Sequence, residues 1–160
     1  MIQSEQVIKD FYTAFQLKDW KGMQACYHDK IEFSDPVFQN LKGGEVKAMW
    51  HMLALAAKDI IIVFKNIEGG AKTGSCDWDA LYSFSRTGRK VHNIIHASFE
   101  FRDGRIIKHT DSFDLWKWAG MAFGMSGKLL GWTPFFQSEV RVTARQNLDK
   151  FIVQHPEYRS

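Results

Sequence analysis

Apolar residues recur at helical spacing along the first part of the chain. Val7, Ile8, Phe11, Ala14 and Phe15 share one stripe, which predicts an amphipathic helix capped by Ser4. Asp19 can cap a second, short helix through Met23 toward Tyr27. The segment KIEFSDPVF places Ile31, Phe33, Asp35 and Val37 on one side, and Pro36 ends it as a regular strand. Gly43-Gly44 precede a third helix with Val46, Met49, Trp50, Leu53 and Ala57 along one face. From residue 60 the pattern becomes strand-like. Strands are expected near 60–67, 72–86, 89–102 and 105–115, with turns at Gly69-Gly70, Thr87-Gly88 and Asp103-Gly104. Their length favours a strongly curved sheet. WKWAGMAFGMSGKLLG reads as a helix loosened by glycine, and a last helix is expected from Gln137 to Val153. Helices first and antiparallel strands after predict an α+β domain.

The turns set which residues share a face. A two-residue turn at Thr87-Gly88 would place Tyr82 opposite Asn93, Ala80 opposite Ile95 and Trp78 opposite Ala97. A three-residue loop at Arg102-Asp103-Gly104 would place His109 opposite Ala97 and Asp111 opposite Ile95. A two-residue turn there would bury Lys108 and expose Ile107 and Phe113, so the apolar pattern selects the longer loop. The inner face is then apolar except for Tyr82, Asn93, His109 and Asp111, with Asp35 on the first strand.

The chain has 160 residues, 45% of them hydrophobic, which suits one folded domain. Thirteen Phe and six Trp suffice both for a core and for the walls of an apolar pocket. The net charge is only +3 and no basic run occurs, so nucleic acid is not an expected partner; no apolar stretch approaches a membrane span, so neither is a membrane. Cys26 and Cys76 form no CxxC or zinc pattern. No signal sequence or membrane-length apolar run is present, and the expected location is the cytoplasm.

A buried aspartate needs a reason. Asp111 can belong to a satisfied polar network, or serve as general acid or base in an apolar cleft. His109 beside it can orient it or relay a proton. Tyr82 can donate to a developing oxyanion and Asn93 can bind a polar atom. Asp35 can be a turn initiator or a second carboxylate at the pocket. The ligand signal for a metal is thin, and neither metal nor cofactor is expected.

The segments FYTAFQLKDWKGM, IEFSDPVFQNLKGGEVKAMW and SFEFRDGRIIKHTDSFD resemble the NTF2-like superfamily and its SnoaL-like branch, over residues 4 to about 125. The resemblance implies a cone-shaped, cystatin-like fold: a curved sheet wrapped around helices, a deep apolar pocket, and usually a homodimer. Residues 1–125 would form that domain, with 126–160 a helical extension on the same body. In ketosteroid isomerases the base is the Asp of a DPV segment, matching Asp35. Phe11 and Ala97 stand where those enzymes have the oxyanion donors Tyr and Asp. In limonene-epoxide hydrolases a catalytic Asp matches Asp111. His109, Ala80 and Tyr82 stand where that site has Trp, Arg and Asp. The resemblance therefore implies neither a standard steroid isomerase nor an epoxide hydrolase. SnoaL-type polyketide cyclases use an Asp on this strand without a cofactor. Asp111, His109, Asp35 and Tyr82 are thus the candidate catalytic residues. Trp78, Asn93, Trp50, Phe113 and Phe33 are the candidate substrate contacts. The expected activity is cofactor-independent acid/base chemistry on a small apolar, oxygen-bearing molecule. A non-catalytic ligand-binding protein and a dimeric scaffold are the alternatives.

Overall fold

The computed structural model describes residues 1–159. The elements are α1 (Gln3–Gln16), α2 (Trp20–Ala25), β1 (Tyr27–Ser34), β2 (Leu41–Lys42), α3 (Gly44–Ala56), β3 (Ile61–Gly69), β4 (Thr73–Ser83), β5 (Lys90–Arg102), β6 (Arg105–Ser112), α4 (Leu115–Phe123), α5 (Met125–Leu130) and α6 (Pro134–Gln154), followed by a 3-10 turn at Pro156–Tyr158. One sheet runs β2-β1-β6-β5-β4-β3. All neighbours are antiparallel except β1 and β6, which pair in parallel. The fully antiparallel expectation fails at this pair because β2 and α3 intervene between β1 and the four-strand meander, whose last strand returns beside β1. α1 packs inside the curve against β3, β4 and β6. It buries Ile8, Phe11, Tyr12 and Phe15.

Asp19 caps α2, its carboxylate accepting from the Gly22 amide at 3.0 Å. Ser4 does not cap α1. It lies within the helix, buried, and its hydroxyl donates to the Gly70 carbonyl at 2.8 Å, tying the helix to the β3–β4 turn.

Both hairpins differ in register from the sequence expectation. The β4–β5 residues, His109 and Asp111 keep their expected faces, but Ile107 does not: Ile106 is buried in its place. The β4–β5 loop is longer than two residues: Ser83 pairs with Lys90, and the Phe84 amide donates to the Arg89 carbonyl. Ala80 therefore faces Asn93, and Trp78 faces Ile95. A slide of two positions leaves each side chain on its own face. The β5–β6 turn is the two-residue kind, with Asp103 and Gly104 at φ 54° and 73°. Ile107 then bulges out of the ladder: Ile106 pairs with Phe101 and Lys108 with Glu100. The bulge restores parity. It buries Ile106 together with His109 and Asp111, and keeps Lys108 outside.

The C-terminal segment folds onto the same body. Gly124, at φ 71°, breaks the expected single helix into α4 and α5. α6 packs on α3 with Leu148 fully buried. Arg145 pairs with Glu45, and Arg141 Nε donates to the Pro36 carbonyl at 2.9 Å. Tyr158 bridges Gln24 and His51.

α4 and α5 cross at Gly127. A Cβ there would sit 1.9 Å from the Ala119 carbonyl oxygen. Gly127→Ala is expected to destabilise the protein by about 1–3 kcal/mol in chemical denaturation. Gly70→Ala, whose nearest contact would be 3.7 Å away, should stay within about 0.5 kcal/mol of the parent.

Candidate functional site

The bulge in β6 aims His109 and Asp111 into the cone. His109 is fully buried and Asp111 is 4% exposed. Three other elements, α3, β1 and β4, reach them through hydrogen bonds. Trp50 Nε1, from α3, donates to the Tyr27 hydroxyl of β1 at 2.8 Å. That hydroxyl lies 2.8 Å from His109 Nδ1, and His109 Nε2 lies 2.9 Å from Asp111 Oδ1. Trp78 Nε1, on β4, reaches the same oxygen at 3.4 Å.

Donor counting orients this chain. An indole N–H can only donate, so the Tyr27 oxygen accepts from Trp50. Burial, with the Asp111 charge adding to it, holds the Tyr27 phenol well above the usual tyrosine range. It keeps its hydrogen and donates to His109 Nδ1. Nε2 then carries the imidazole hydrogen and donates to Asp111 Oδ1. Aromatic rings close around the histidine: Phe33 edge-on at 5.0 Å, Phe11 edge-on at 5.5 Å and Phe99 tilted at 4.5 Å between centroids. This packing holds the plane of the ring, and the hydrogen bonds to Tyr27 and Asp111 set which edge carries each nitrogen.

Oδ2 of Asp111 has no hydrogen-bond partner among the described residues, and Asp111 lines a cavity of about 490 Å³. The cavity lies between two apolar clusters. One fills the cone around α1; the other holds Val91, Leu115, Trp118, Ala119 and Ala122. Trp50, Trp78, Ile95, Phe113 and Trp118 contribute wall. So do Val140, Thr143, Ala144 and Asn147 of α6. The C-terminal extension is thus a side of the chamber.

Three further polar groups face this space. Asn93 is 7% exposed, and its amide has no protein partner among the described residues. The Tyr82 hydroxyl accepts from Trp118 Nε1 at 2.9 Å, which leaves its own hydrogen for a ligand. Burial raises its pKa, with the Asp35 charge adding. Asp35 initiates the turn that its SDP context predicts: Oδ1 accepts from the Val37 and Phe38 amides at 2.7 and 2.6 Å. It lines the cavity as well. Burial pushes its carboxyl up to about 7, with Asp111 contributing and the two amide bonds opposing.

Of the sequence candidates, Asp111, Asp35, Tyr82, Trp78, Asn93, Trp50 and Phe113 converge on the cavity. His109 stands behind Asp111, not on the wall. Phe33 is not on the wall either: it is 1% exposed and packs between Trp50 and His109. The alternation of β1 places Phe33 inward correctly, but α3 lies between it and the open space. Tyr27 escaped the sequence reading. Its partners are 23 and 82 positions away, and nothing local to CYHDK marks it. Among the described residues, no three His, Cys, Asp or Glu side chains gather as a metal site.

Solved structures share this architecture. The putative polyketide cyclase IdmH from Streptomyces antibioticus superposes with a TM-score of 0.64 at 16% identity, over 75% of this chain and 98% of that one. A putative polyketide cyclase from Xanthomonas campestris pv. campestris gives 0.61 at 17% identity, over 74% and 96%. An LEH-like epoxide hydrolase of M. tuberculosis gives 0.59 at 18% identity, over 81% and 91%. Identities this low show the fold alone. No curated protein matches the sequence. The family model of the SnoaL-like domain matches residues 8–109, from the core face of α1 to the histidine behind Asp111. The chain therefore belongs to the SnoaL-like family of the NTF2-like superfamily.

Proposed function

We propose that the protein is a cofactor-independent acid/base enzyme that moves a proton on a small apolar molecule carrying a carbonyl oxygen. The observation that supports this most is Asp111, with Oδ1 anchored by His109 and Trp78 and Oδ2 open to a largely apolar chamber. A carboxylate held in one orientation and shielded from water is suited to take a proton from carbon beside a carbonyl. The enolate oxygen so formed needs hydrogen-bond donors. Asp35 below about pH 7, the Tyr82 hydroxyl and the Asn93 amide are available in the same space. Closing a carbon–carbon bond by aldol addition uses the same parts. Asp111 removes the proton, the carbanion attacks a second carbonyl, and a donor protonates the resulting alkoxide. The putative polyketide cyclases among the structural relatives agree with this class. A ligand-binding protein without turnover is the second reading, since the network also satisfies Oδ1 with no reaction.

Hydrogen exchange beside the carbonyl of apolar cyclic ketones, followed by NMR in heavy water, tests the proposal. Asp111→Asn keeps an oxygen to accept from His109 and Trp78. It is expected to lower exchange by about 100-fold or more while ligand binding, by calorimetry, persists. Exchange at the parent rate in this variant would remove Asp111 as the base. Bound ketone with no exchange by the parent protein would establish the binding reading.

Asp35 makes the rate depend on pH. As an acid it acts only while protonated, so exchange should fall as pH rises through about 7. Asp111 and Tyr82 face it across the cavity, and Arg141 approaches through the Pro36 carbonyl. Asp35→Asn keeps a donor and should remove this limb of the profile. The same shift acts on stability. The folded carboxyl keeps its proton to about 7 from an ordinary value of 3.8, so the unfolded state releases its proton first and stability declines as pH rises between these values. Thermal melts of Asp35→Asn should lack that decline.

Tyr27→Phe leaves the Trp50 N–H and His109 Nδ1 unpaired. It is expected to cost about 1–3 kcal/mol and to slow exchange with ligand affinity unchanged. An unaltered rate would confine Tyr27 to a structural role.

A further inference from the structure

Six large apolar side chains stand at least half exposed within residues 116–135: Trp116 50%, Met125 67%, Leu129 64%, Leu130 52%, Trp132 58% and Phe135 77%. They are held together. Trp116 Nε1 donates to the Lys128 carbonyl at 2.9 Å, and Trp132 Nε1 donates to the Leu129 carbonyl at 3.0 Å. Both indole N–H groups are thus satisfied internally, and the rings present apolar surface to water. Met125 and Leu129 lie one turn apart on α5. The opposite side of α4 is buried through Trp118, Ala119 and Ala122, so the exposed set is the outer face of a firmly seated lobe. Patches of this kind mark contact surfaces.

The charges around it have one dominant sign. Lys117 and Lys128 lie on α4 and α5. Arg89 reaches the Met121 carbonyl, and Arg86 covers the Phe123 ring. Between residues 112 and 140 the carboxylates are Asp114, occupied in capping α4, and Glu139, one turn beyond Phe135. A symmetric contact between two copies would press cation against cation. An anionic surface would not.

We propose that this lobe docks on the surface of an anionic lipid bilayer, with Met125, Leu129, Trp132 and Phe135 among the acyl chains and the lysines at the head groups. The inner side of α4 supplies Trp118 and Phe123 to the cavity wall, beside Phe84 and Arg86. A docked protein thus holds its chamber next to the phase in which an apolar ligand concentrates. A formal charge of +3 averaged over the chain conceals this local arrangement. The inference is independent of the chemistry at Asp111.

Co-sedimentation of the full chain with phosphatidylcholine vesicles, with and without phosphatidylglycerol, tests it. Binding is expected with phosphatidylglycerol, weakening as salt rises, with a blue shift of tryptophan emission. The combined variant Leu129→Ser, Trp132→Ser and Phe135→Ser, checked for fold by circular dichroism, should partition at least about tenfold less, as should Lys117→Gln with Lys128→Gln. Absence of sedimentation with either vesicle would overturn the proposal. So would a two-chain mass in light scattering that the apolar variant reduces to one chain, since that assigns the patch to a second copy.

Discussion

The contact between His109 Nε2 and Asp111 Oδ1 is the interaction around which the interior is organised. A carboxylate inside an apolar cone is tolerated only when donors satisfy it. Here the donors come from different parts of the chain. His109 shares β6 with Asp111, Trp78 comes from β4, Tyr27 from β1 and Trp50 from α3. Each hydrogen bond therefore also fixes the position of an element. The parallel pairing of β1 with β6 sets Phe33 beside His109, and the bulge at Ile107 turns both polar side chains inward. Loss of either feature would leave the carboxylate facing the wrong side of the sheet or short of donors.

Around this fixed point the polar groups separate into two kinds. Tyr27, His109 and Trp50 Nε1 point at one another and are saturated. Asp111 Oδ2, the Tyr82 hydroxyl hydrogen and the Asn93 amide remain open to the cavity, with Asp35 on the same wall. A purely structural network has no need for unsaturated groups aimed into a shared chamber, and the cost of leaving them so is one that a bound ligand would remove. The C-terminal region extends the wall: α4 supplies Trp118 and Phe123, and α6 supplies Val140, Thr143, Ala144 and Asn147.

The inward direction of His109 and Asp111 was legible without coordinates. Strand side chains alternate with a period of two, and only one parity buries Phe99, Ala97 and Ile95. A slip of two positions preserves parity: both hairpin registers lie two positions from the expected ones and both turns differ, yet His109 and Asp111 keep their face, with Ile106 buried in place of Ile107. Asp35 was legible in the same way, from its alternation with Ile31 and Phe33 and from the proline behind it. Ser4 differs: a serine at a helix start fits a cap and a buried side-chain anchor equally well, and only the position of Gly70 decides between them.

Local pattern thus determined most of the elements and faces, the α+β class and the pair of inward polar residues, since these follow from steric period and burial along short stretches. Tertiary structure decided what those residues meet. Tyr27 became part of the site, and Phe33 was removed from the wall, through contacts spanning up to 82 positions. The chamber gained part of its wall from helices beyond the residues that match the family model. No periodicity encodes such meetings, because they depend on how curved surfaces from distant segments come to rest against each other.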